Sequence, residues 1–271
     1  MKLKINWRAT FWVAGVVLVL GGIFYLAVFS PFLKIKDWWV ESTNFVAQAQ
    51  AQETTDGFFR QKLWRVVPLD SWLTFSGRRL ASVLLAGFPE AEEVKVEKNI
   101  LKGVKVSIKG RQPAAFWCQN AVAVRDALAT STLNAALPSS DECFFMDASG
   151  LLFREAPEIS GTAMPTFFGQ PENNLLPGDR VLASSTVSFA ATLKKQLRDI
   201  NIEIPGFVVA GAGNAELVVY TGENWLIYFD LERSVQSQIK VLVALLDGAL
   251  KDKTAGLKYI DLRVAGKVYY R

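Results

Sequence analysis

The residues best suited to chemistry are few in this chain. It has two cysteines, Cys118 and Cys143, and no histidine among its 271 residues. Without an imidazole there is no Ser-His-Asp or Cys-His nucleophile, no histidine metal site, and the commonest general base is missing. Two thiolates alone do not complete a four-ligand zinc site. Acid–base chemistry would then fall to paired carboxylates or a Ser-Lys dyad. Asp141-Glu142, Glu155 and the pair Asp230 and Glu232 are the carboxylates that could be recruited by an exported hydrolase. They sit in segments of loop or turn composition, where solvated charge is the ordinary role, and no nucleophile motif accompanies them. The expectation is a non-enzyme with no catalytic residue, no cofactor, no metal and no small-molecule substrate.

The cysteines suggest a covalent role. RQPAAFWC and CFFMDASGLLF read as strands that bracket a small-residue segment, 119–142. If they pair antiparallel, Cys118 and Cys143 meet at the base of that segment, and a disulfide would close it. A closed loop of roughly 25 residues gains about 3 kcal/mol in the chain-entropy model. Two buried free thiols are the alternative; an oxidising compartment with no cysteine left over favours the bridge.

That compartment is suggested by the N-terminal stretch FWVAGVVLVLGGIFYLAVF, residues 11–29, which carries no charge. As a helix it would run about 28 Å, close to the roughly 30 Å hydrocarbon core of a bilayer. Lys2, Lys4 and Arg8 precede it, Trp7, Trp12 and Tyr25 suit the interface, and Pro31 ends it. The expectation is a single-pass transmembrane helix with residues 1–10 cytoplasmic and the bulk outside. A core helix or a cleaved signal peptide are the competing readings; the run is long for a signal, and no A-x-A site follows it closely. Net charge is +4, with basic residues scattered among acidic ones, so no nucleic-acid-binding block is present.

The elements that follow come from periodicity. Residues 34–42 alternate imperfectly and are rich in aromatic and β-branched types, reading as a strand. AQAQAQETTDG, residues 47–57, suits a mobile loop or a frayed helix start. Apolar spacing turns helical over 58–88, with Asp70 as candidate cap. EEVKVEKNI and GVKVSIKG then alternate with period two, giving a hairpin turning near 99–103. Residues 111–271 read as short strands with helices over 184–197 and 234–250, and KYIDLRVAGKVYYR as two closing strands or one with a bulge. The fold class expected is α+β: a transmembrane helix, a β-α-α-β-β domain over 32–110, and a mainly antiparallel β-domain over 111–271 with a few helices.

Several of these stretches, in this order, carry a resemblance. IKDWWVESTNFV, residues 35–46, resembles a POTRA opening, with Ser42-Thr43 in place of a Gly-Asn turn. Phe88-Pro89 and EEVKVEKNILKGVKVSIKGRQPAAFW resemble the passage from its second helix through the hairpin into a β-domain, with Lys98 for a common arginine and Gly110 for a common glutamate. FMDASGLLF resembles a "D-x-x-G-hydrophobic-F" turn, and YIDLR, residues 259–263, a closing strand in which Val264 replaces the usual tyrosine. Together they resemble the FtsQ/DivIB family of bacterial cell-division proteins. That resemblance implies a POTRA domain followed by a β-domain, and a divisome scaffold in the cell membrane at the division septum. It implies FtsB/DivIC-like and FtsL-like bitopic partners, with other divisome components reached through the POTRA domain. Docking would be β-augmentation at an edge made by Tyr259, Ile260, Asp261, Leu262, Arg263, Val264, Lys267, Val268, Tyr269 and Tyr270. A POTRA module of a protein-translocation system is the alternative.

Overall fold

The computed structural model describes residues 7–29, 33–63, 67–99, 102–119, 143–157, 164–169, 175–209, 216–251, 254 and 256–271. The chain is α+β and divides into two compact units, residues 1–110 and 111–271. Segment 120–142, which contains Asp141-Glu142, lies outside the described residues.

Helix α1 runs Trp7–Phe29. The expected transmembrane helix is corrected here: among the described residues no helix is long and apolar enough to cross a membrane. Its described side chains are exposed, Trp12 and Leu18 among them.

The rest of the first unit comprises β1 (Trp38–Ser42), α2 (Gln48–Arg60), a two-stranded ladder of β2 (Lys62–Leu63) and β3 (Val67–Pro68), α3 (Gly77–Gly87), β4 (Ala91–Asn99) and β5 (Gly103–Gly110). The main sheet has the order β1-β5-β4, with β1 parallel and β4 antiparallel to β5. Val40, Val104, Val106 and Ile108 meet Leu80 and Leu84 of α3 and the rings of Phe58, Phe59 and Phe75 in one core. Two local readings change. The polar segment at 47–57 is the body of α2, held by Ala51 and Thr55, both fully buried, with the Thr55 hydroxyl donating to Ala51 C=O. The cap of α3 is Ser76, whose Oγ accepts from Arg79 N–H, whereas Asp70 pairs with Lys34 at 3.4 Å. Thr43 and Gly110 also meet in space. Gly110 N–H donates to Thr43 Oγ1, and a Cβ on Gly110 would stand 2.4 Å from Thr43 C=O. A side chain at 110 has no room beside this turn.

The second unit is a nine-stranded mixed sheet of order β14-β13-β12-β11-β10-β9-β6-β7-β8. Its strands are β6 (Ala115–Gln119), β7 (Cys143–Met146), β8 (Leu152–Glu155), β9 (Thr166–Gly169), β10 (Gly206–Val209), β11 (Glu216–Tyr220), β12 (Leu226–Asp230), β13 (Tyr259–Asp261) and β14 (Tyr269–Tyr270). Pairings β6–β9, β9–β10 and β12–β13 are parallel and the others antiparallel. Helices α4 (Ser184–Asp199) and α5 (Val235–Asp247) set Val187, Leu193, Leu197, Ile239 and Leu242 against Phe167, Phe207, Ile227 and Phe229 in a single core. Cys118 and Cys143 stand directly opposite in the β6–β7 register and are joined by a disulfide with Cα atoms 4.1 Å apart.

Candidate docking edge of the nine-stranded sheet

A sheet of this kind has two ends, and the fold treats them differently. At the β8 end, the Leu152 N–H donates to Asp179 C=O at 2.8 Å and Gly178 N–H donates to Leu152 C=O at 2.7 Å, so the segment around 176–182 covers the strand. The turn that precedes β8 is organised by Asp147. Its carboxylate accepts from Ser149 N–H, Ser149 Oγ, Leu151 N–H and Arg111 Nη1, the last at 2.5 Å. Burial pushes the Asp147 carboxyl up, but these bonds, from Ser149, Leu151 and Arg111, outweigh it and hold the pKa below the ordinary value.

At the other end β13 is an inner strand, parallel to β12 and antiparallel to β14. Ile260 and Leu262 are buried in the core, and Val268 packs against it. Tyr259 faces the opposite side of the sheet, its ring edge-on to Tyr228 with centroids 6.0 Å apart. Val264 and Lys267 are exposed in the connecting turn, which closes through Lys267 N–H to Val264 C=O and takes a left-handed Gly266 at φ 73°. The free edge is therefore β14 alone; Tyr259 to Leu262 stand one strand inside it. Arg271 N–H donates to Tyr259 C=O and Arg271 C=O accepts from Lys258 N–H, which turns residue 271 inward. By the alternation of an antiparallel ladder, the backbone groups of Tyr270 and Val268 point outward. The Tyr269 ring lies on the Asp261 face and the Tyr270 ring on the Ile260 face, so a strand added here would have a half-exposed tyrosine on either side. Lys258, Lys267 and Arg271 surround the edge with exposed positive charge.

Arg263 fastens this end. Its Nε and Nη2 donate to the two Asp261 oxygens at 2.9 and 2.7 Å, its own N–H donates to Oδ1, and Nη1 reaches Glu216 at the start of β11. The guanidinium also lies 4.8 Å over the Tyr228 ring. The hydrogen bonds to Asp261 raise the Arg263 pKa further above its ordinary value. For Asp261, burial acts upward, and the Arg263 hydrogen bonds and charge overcome it to leave the carboxyl depressed. Arg233 Nη1 donates to Leu262 C=O at 2.7 Å and secures the chain just past β13. Sequence reading misses Glu216, Tyr228 and Arg233, because each meets the YIDLR segment only through sheet register or a loop. Glu155 ends β8 exposed, Asp230 accepts from Glu232 N–H in a turn, and the described residues contain no acidic or cysteine group able to hold a metal ion.

Depressed carboxyls make stability pH-dependent. Asp147 and Asp261 start from an ordinary value of 3.8 and are lowered in the fold, so the unfolded chain takes up their protons first. Their contribution is complete above about pH 4 to 5 and is lost as pH falls through the folded values. Asp147→Asn should flatten the decline in Tm below pH 4, measured by circular dichroism from neutrality to pH 2.5. An acid limb as steep as that of the parent protein would contradict this assignment.

No family model matches the chain, and no curated protein matches it.

Proposed function

We propose that this protein is a divisome scaffold of the FtsQ/DivIB kind, a non-enzymatic platform that captures bitopic partners by strand addition. Support rests on one observation above all: the sheet that is covered at β8 is open at β14, next to the YIDLR segment. Partners resembling FtsB/DivIC and FtsL would pair with the outward backbone groups of Val268 and Tyr270. The exposed cations around the edge favour an acidic partner strand. The order strand, helix, helix, strand, strand in the first unit, interrupted between the helices by the short β2–β3 ladder, supports the POTRA reading and a second, recruiting role toward other divisome components. The Cys118–Cys143 bridge supports a location outside the cytoplasm; placement at the division septum follows from the proposed role. No nucleic acid is expected as a partner.

Tyr270→Pro tests the docking mode directly. The outward Tyr270 N–H is not used by β13, so proline removes a donor from the edge and leaves the ladder behind it intact. Capture of a co-expressed FtsB-like partner should fall by about tenfold or more with little change in Tm, and removal of residues 264–271 should abolish it. Full-strength capture by the truncated chain would refute the edge assignment. Uniform rather than septal placement of a fluorescent fusion would refute the divisome assignment.

A further inference from the structure

The first unit has a second edge problem, solved at only one of its two ends. In the parallel β1–β5 ladder, Asp37 C=O accepts from Val104 N–H and Thr43 N–H donates to Ile108 C=O, so the odd-numbered residues of β1 bond inward and Val40 faces out. Both outward groups of Val40 are occupied. Its N–H donates to Gln52 Oε1 at 3.0 Å and its C=O accepts from Gln48 Nε2 at 2.8 Å. Gln52 in turn donates to Asp56, which also accepts from the Trp38 indole at 2.6 Å. Gln48, Gln52 and Asp56 recur every four residues and so fall on one face of α2. Their side chains take the place of a neighbouring strand and close β1 to further pairing.

The other outer strand, β4, has no such cover. Pairing of Glu93, Lys95 and Glu97 with Lys109, Ser107 and Lys105 uses the inward groups, leaving those of Val94, Val96 and Lys98 pointing outward. Among the described residues nothing bonds to them. Beside this edge is a groove of about 550 Å³ lined by Phe75, Gly77, Arg78, Val94, Val96 and Lys98, with no acidic side chain in it. The N-terminus of α3 opens into it, Arg78 is exposed at its mouth, and Lys98 Nζ lies 4.8 Å over the Phe75 ring while donating to Phe75 C=O. Unpaired backbone, an apolar floor and the two cations Arg78 and Lys98 fit one kind of occupant, the exposed Glu92, Glu93 and Glu97 of β4 lying outside the groove lining.

We propose that the open edge of β4 binds an extended acidic peptide segment, adding it to the three-stranded sheet with its carboxylates beside Arg78, Lys98 and the start of α3. This site is separate from β14 and does not depend on the reading given to that edge.

The test uses the full chain, kept in solution by a mild non-ionic detergent, and two labelled synthetic nine-residue peptides. One alternates Glu with Thr, and the other has Lys in place of Glu. Fluorescence anisotropy should show the acidic peptide binding at least about tenfold more tightly than the basic one, with affinity falling as salt is raised. Hydrogen exchange should show new protection at the amides of Val94, Val96 and Lys98. Arg78→Glu, at an exposed position, should weaken binding by about fivefold to tenfold, and Val94→Pro should remove one outward donor and weaken it similarly. The proposal is overturned if neither peptide binds, if both bind equally, or if protection appears only at residues 268–270. That last result would leave the β14 reading standing while removing this one.

Discussion

Gly150→Ala should destabilise the second unit by about 4 kcal/mol, a large effect for one methyl group. Gly150 takes φ 81°, and a Cβ there would stand 2.0 Å from the Leu182 C=O oxygen. The left-handed conformation alone costs an alanine about 1–2 kcal/mol. The contact is with backbone, so the segment reaching Leu182 must move away. That movement breaks the bonds from Val181 N–H and Leu182 N–H to Gly150 C=O, and strains those joining Leu152 to Asp179 and Gly178. At about 1 kcal/mol for each lost bond, two or three losses account for the rest. Gly178 is the control. Its φ is 109°, yet a Cβ there meets nothing within 4 Å, so Gly178→Ala should cost only the conformational 1–2 kcal/mol. Urea unfolding followed by circular dichroism separates the two. Equal losses would mean that the approach to Leu182 is not what the glycine permits.

The same region shows how far a sequence can be read. The turn at 147–150 is legible, because Asp, Ser and Gly at that spacing supply a carboxylate cap, a local donor and a left-handed position. So are the β4–β5 hairpin and the two helices of the second unit, where period two and period 3.6 are unbroken over many residues. What does not show is the use made of them. That residues 176–182 return to cover β8 depends on contacts of about thirty positions' separation, which leave no periodicity. The glutamines of α2 read as low complexity, since their partner is a strand edge that exists only after folding. β9 leaves no period to read, because TFFG is too short to alternate and is buried on both faces. At the docking edge the sequence locates the YIDLR segment but not its depth in the sheet: whether Tyr259 or Tyr270 is outermost is decided by which strand pairs with β12. The uncharged stretch at 11–29 is the opposite case, where composition alone suggests more than the described helix supports.

Arg263→Ala should cost about 3 kcal/mol and loosen the platform on which β14 rests. The substitution removes the forked pair with Asp261, the link to Glu216 and the cation over Tyr228. Most of the loss comes from Asp261, whose side chain is only 14% exposed and would keep a charge with few partners. Glu216 is 45% exposed and adds little, because water screens it. Arg263→Lys retains the charge but not the planar fork, so it should recover less than half of the difference. The pH dependence identifies the cause. In the parent protein Asp261 is held below its ordinary value mainly against burial; without the guanidinium, burial prevails and its pKa moves above that value. The gap in stability between parent and variant should therefore be small near pH 2.5 and widen as pH rises through the carboxylate range. A gap independent of pH would assign the loss to packing on Tyr228 instead. Because β14 is held to the sheet through β13 alone, partner capture should follow the same curve, weakening in the variant most at neutral pH. Capture that survives the substitution unchanged would mean that the edge is ordered by the Ile260 and Leu262 core contacts, with the Arg263 cluster serving only to stabilise the unit.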